Sequence, residues 1–104
     1  MLSSLNQRAT LLARVLSPDG GGGFSESWSA FATVWIQLTP LAATDTLGAA
    51  HLESRVRHRI VLRRRSDLAA GQRIAVGGRV FRVHGVVDDG PRAAFITLQC
   101  EELP

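Results

Sequence analysis

The sequence predicts an all-β fold, a small antiparallel barrel or sandwich with one long loop between its second and third strands. Three observations carry this reading. Over residues 55–65, Arg55, Arg57, Arg59, Arg63 and Arg65 share one parity while Val56, His58, Ile60 and Leu62 share the other, which is the period of a strand with one buried face. Gly77-Gly78 and Asp88-Asp89-Gly90-Pro91 are hairpin signals between short β-prone runs. Finally, 104 residues suit one domain, expected to span 1–104, and an apolar content of 45% supplies a core and argues against general disorder.

The first element is the apolar run Arg8–Leu16, interrupted by Arg14, which suits a strand or two helical turns and is read as a strand. Ser17-Pro18-Asp19 and the run Gly20–Gly23 break it, and four glycines predict a mobile loop. A glycine run can also cradle phosphate. Here the lysine and the Ser/Thr of a phosphate-binding loop are missing, and Phe24-Ser25-Glu26 brings an acid instead.

The second element fits two periods. Trp28, Phe31, Trp35 and Leu38 are spaced as on a helix face, yet Trp28, Ala30, Ala32, Val34, Ile36 and Leu38 also alternate as on a strand. The β-branched and aromatic run Thr33–Ile36, closed by Pro40, favours a strand from about 29 to 39. Strict alternation then puts Trp28 and Trp35 on opposite faces. One belongs in the core, and the other needs a covering surface such as a neighbouring subunit, unless the chain bends and buries both.

The next segment, Leu41, Ala42, Ala43, Thr44, Asp45, Thr46, Leu47, Gly48, Ala49, Ala50, His51, Leu52, Glu53 and Ser54, is rich in small residues. A connection this long in so small a domain is unusual unless it is functional or flexible, and a short helix over Ala42–Leu52 is weakened by Gly48. The strand over 55–65 follows, with a basic face suited to solvent, a partner or a polyanion. Its apolar parity includes His58, read as a core or core-edge histidine. Then Ser66–Gly71 turns the chain, Arg73–Val76 and Arg79–Val87 form a hairpin about Gly77-Gly78, and Ala94–Cys100 alternates Ala94, Ile96, Leu98 and Cys100 inward. Asp88 and Asp89 are adjacent and serve a turn better than an acid pair.

Catalytic signatures are missing. The chain has no nucleophile elbow, zinc cluster, phosphate-loop or dinucleotide fingerprint, so neither an enzyme nor a cofactor is expected. His51, His58 and His84 lack companions at metal-ligand spacing, so no metal is expected. The single Cys100 fits a reducing compartment, and with neither a bilayer-length apolar run nor a secretory leader the expected site of synthesis is a cytoplasm, without membrane association.

Charge is the remaining signal. All twelve basic residues are arginine against nine acids, for a net +3. Arginine-only usage has a bland origin in a GC-rich genome, but arginine forks also suit subunit interfaces and phosphate contacts.

Four pieces in this order resemble the phage head-tail joining, or head closure (stopper, connector), family: the glycine-rich loop before Trp28, the Val34-Trp35 pair, the strand Val56–Arg65, and the hairpin block Arg73–Val86 with its final strand. They span roughly Gly20–Glu102. The resemblance implies a small antiparallel β-barrel without catalytic activity. It would assemble as a ring, usually dodecameric, in the neck of a tailed phage, prophage or gene transfer agent particle, between the portal or adaptor above and a tail terminator or tail completion protein below. It also implies that the loop Leu41–Ser54 points into the central channel. Twelve copies at +3 each place about +36 around one annulus, enough to hold passing double-stranded DNA without reading its sequence. Arg57, Arg59, Arg63, Arg65, Trp28 and Trp35 are the expected subunit-interface or DNA-facing residues. The alternatives are a tail completion protein and a free nucleic-acid-binding barrel of the OB type. The second suffers because stacking platforms need aromatics among the arginines and the strand at 55–65 has none.

Overall fold

The computed structural model describes residues 5–41 and 57–104. Six strands run in chain order: β1 (Gln7–Pro18), β2 (Phe24–Pro40), β3 (Arg57–Arg63), β4 (Arg73–Val76), β5 (Arg79–Val87) and β6 (Phe95–Glu102). They close into an antiparallel barrel in the order β1-β2-β3-β6-β5-β4, with Thr10–Leu12 of β1 completing the circle against Arg73–Ala75 of β4. Among the described residues there is no helix, and none is therefore long and apolar enough to cross a membrane. The short helix considered over Ala42–Leu52 lies outside the described residues.

Alternation fills the interior. Ala9 and Leu11, Ile36, Ile60 and Leu62, Ile74 and Val76, Phe81 and Val83, and Ile96, Leu98 and Cys100 point inward from the six strands in turn. Phe81 is wholly buried, and the His58 ring meets it edge-on with centroids 4.9 Å apart. The expected inward set of β6 holds for Ile96, Leu98 and Cys100, while Ala94 precedes the strand.

Two bulges break the alternation. In the β1–β2 ladder Leu11 faces Ala32 but Leu12 faces Ala30, so Phe31 is an extra residue. In the β5–β6 ladder Val83 faces Cys100 and Gly85 faces Gln99, leaving His84 extra. The first corrects the expectation for the tryptophans. Each inserted residue inverts parity, so Trp28, opposite Arg14, and Trp35, opposite Arg8, stand on the same outer face. Neither fills the core. β2 also begins at Phe24, five residues before the expected start, because the β1 partner continues to Pro18.

The turns use local chemistry. The glycine run predicted to be mobile is tied down: Gly21 and Gly23 donate backbone N–H bonds to Asp19 Oδ1 at 2.8 and 3.1 Å, and Asp19 N–H donates to Gly23 C=O at 3.1 Å. Gly20 and Gly22 take φ of 86° and 91°, values L side chains rarely adopt. Of the Gly77-Gly78 pair, Gly77 alone has a positive φ, 63°, as in a hairpin turn with one left-handed residue.

Candidate interaction surface

The outer wall of β3 carries the basic face. Arg57, Arg59 and Arg63 are exposed and are paired across the ladder with Glu101, Gln99 and Phe95 of β6. Arg59 also lies opposite Thr39 of β2. Among the described residues no carboxylate bridges these three guanidinium groups. Arg63 stacks over the Phe95 ring at 6.0 Å.

Other arginines are committed. Arg64 donates to both carboxylate oxygens of Asp88, at 2.5 and 2.8 Å, and to Gly90 C=O at 2.7 Å, which fastens the end of β3 to the β5–β6 turn. Arg65, expected on the basic face, lies beyond the strand. Its guanidinium clasps Asp67 two residues on, at 2.9 and 2.8 Å, so it closes a turn. Hydrogen bonding to these arginines holds the Asp88 and Asp67 carboxyls below the usual range. Arg55 and residues 42–54 of the expected channel loop lie outside the described residues. Leu41 is described: it is exposed, and its N–H donates to Arg57 C=O at 2.9 Å, placing the base of that loop beside Arg57.

The barrel places both tryptophans on its outside beside arginines, and Trp35 alone of the two adjoins the β3 surface. Trp35 is half-exposed with the Arg8 guanidinium 5.0 Å over its ring, and Arg73 lies 4.1 Å over Trp28. Val34, Trp35, Arg63, Arg64 and Arg65 line an open cleft of about 360 Å³. Sequence reasoning missed these aromatic neighbours because they come from strands distant in the chain.

A second polar group joins β3 to β6 and β5, which follow it around the barrel. Arg79 forms a two-pronged bridge to Glu102, at 2.7 and 3.0 Å, and reaches His58 Nε2 at 3.3 Å, where the imidazole nitrogen must accept because guanidinium only donates. His84 Nε2 and Glu101 Oε1 lie 2.6 Å apart. No group of three His, Cys, Asp or Glu able to hold a metal occurs among the described residues. Burial drives the Cys100 thiol up to about 12, so it is a packing residue and not a nucleophile.

The barrel is filled by its own side chains, and its β3 wall carries exposed arginines that no carboxylate bridges among the described residues. The sequence model of the phage head completion protein family matches residues 2–103, and the chain belongs to that family. It is similar to a chain in the virion of a native gene transfer agent particle, at 25% identity and a TM-score of 0.71, covering 95% of this chain and 96% of that one. It is also similar to a protein of Shigella flexneri 2a determined in solution, at 25% identity and a TM-score of 0.73, covering 95% and 93%. No curated protein sequence matches it.

Proposed function

We propose that the chain is a structural neck component that forms a ring, dodecameric by the family resemblance, joining head to tail around the DNA channel. Family membership over nearly the whole length and similarity to a gene transfer agent virion chain support the head-tail role. The single observation that carries the DNA-facing part is the row Arg57, Arg59 and Arg63. Three exposed guanidinium groups without carboxylate partners among the described residues stand on one wall, at the base of the segment 41–54. Such a row attracts phosphate without reading bases. Portal or adaptor above and tail terminator or completion protein below are the partners this placement requires.

Deleting the gene should give heads and full-length tails that stay unjoined, and joined particles from the deletion would overturn the reading. Replacing Arg57, Arg59 and Arg63 together by Glu should leave the barrel folded by circular dichroism while particles lose packaged DNA; full retention would remove the channel role.

A second reading gains from the structure. The barrel sets Phe95 and Trp35 beside Arg63, the aromatic interleaving that the β3 sequence lacks. A free nucleic-acid-binding barrel would bind single strands as a soluble monomer with steep salt dependence, whereas the neck component binds heads.

A further inference from the structure

The hairpin β1–β2 outgrows the barrel. Pairing of β1 with β4 stops at Leu12, and pairing of β2 with β3 starts only at Ile36. Residues Ala13–Pro18 and Phe24–Ser29 therefore pair only with each other, as a two-stranded ribbon. Among the described residues the far edge of Ala13–Pro18 and the far edge of Phe24–Thr33 carry no ladder. Neither edge has a lysine, and the ribbon exposes Val15, Leu16 and Phe24, the last at 67%. Two-stranded ribbons are marginal alone, and bare edges recruit further strands.

We propose that these edges are the joint between copies of this chain: the β1 edge of one copy pairs antiparallel with the β2 edge of the next. The proposal rests on the ring reading and names its contact. Geometry selects a second copy over a foreign strand. Rotation about a ring axis points every ribbon the same way, so a β1 edge always meets a neighbouring β2 edge running in the opposite sense, as within one hairpin. A foreign strand would satisfy one edge and leave the other bare. A closed ring of copies satisfies both, as a head-to-tail interface does when its rotation closes. Charge agrees. The ribbon's charged side chains are Arg14 on β1 and Glu26 on β2, on the same face and 2.7 Å apart within a copy. In the joined sheet each Arg14 also faces the Glu26 of its neighbour, and the signs alternate around the ring.

A charge swap tests this with heads from a strain lacking the gene and purified chain added back, reading how much chain sediments with the heads. Arg14→Glu alone and Glu26→Arg alone should each bind at least about tenfold less than the wild type, because each sets like charges across every joint. An equimolar mixture of the two variants should recover binding, since alternating copies restore opposite charges at every joint. Loss of the ion pair inside one hairpin cannot be repaired by mixing. Single variants that bind like the wild type, or a mixture no better than either variant, would overturn the joint while leaving the ring reading intact. Wild-type chain that fails to bind heads would overturn both.

Discussion

Trp28 and Trp35, seven positions apart in one strand, stand on the same outer face of the barrel because Phe31 is an extra residue between them. Each carries an arginine over its ring, Arg73 from β4 and Arg8 from β1, both from the same side of β2. Acrylamide should therefore quench the emission of both indoles, measured singly in Trp28→Phe and Trp35→Phe. A fully protected indole in either variant would contradict the bulge. Replacing Arg8 by Leu at the half-exposed stack should cost no more than about 1 kcal/mol in denaturant unfolding.

The interior is far less forgiving. Phe81 is wholly buried and touches the His58 ring. Phe81→Ala should cost about 3–5 kcal/mol, by transfer and cavity terms together. That is a large share of the stability of a small domain, and urea titration would read it directly.

Acid should loosen the clasps around the barrel rim. Hydrogen bonds from Arg64 hold Asp88, and those from Arg79 hold Glu102, below their ordinary values of 3.8 and 4.5. Native values below unfolded ones mean this stabilisation is complete above about pH 4.5 and is lost as pH falls through the lowered native values. The melting temperature should drop below pH 4.5, and Asp88→Asn with Glu102→Gln should fall less steeply there.

Cys100 behaves oppositely. Its thiol is pushed up to about 12 by burial, so unfolded chain ionises first as pH rises through the ordinary value of 9.0, and stability declines between there and 12. At pH 8 a thiol reagent should label the native chain only at the rate of unfolding, and label denatured chain at once.

Asp19 supplies a local test. Its Oδ1 accepts from Gly21 and Gly23. Asp19→Ala should speed hydrogen exchange at those two amides while leaving Leu11 and Ile36 unchanged; unchanged rates at the glycines would show that the turn holds without its carboxylate.

The β3 alternation and the β4–β5 hairpin were legible because they depend on neighbours in sequence: His58, Ile60 and Leu62 point inward and Gly77 turns the chain. The face of Trp28 was not. It depends on a bulge fixed by pairing with β1, and the same holds for His84 against β6. Closure of β1 on β4 joins residues more than sixty apart, and it is this closure that lays Arg73 on Trp28. Arg65 had a readable signal that parity reasoning passed over, an aspartate two positions on in a turn. Of the surface, the row Arg57, Arg59 and Arg63 was visible in the sequence, and its aromatic company was not.

β1 and β2 each run without a break from the barrel wall to the tip of the ribbon. Tension applied at that tip along the strands therefore loads the ladders to β3 and β4 in shear, so that many hydrogen bonds share the force at once instead of parting one after another. A hairpin hung from a flexible tether would yield at its tether; this one passes the load straight into the wall, as a tenon does in a mortised frame.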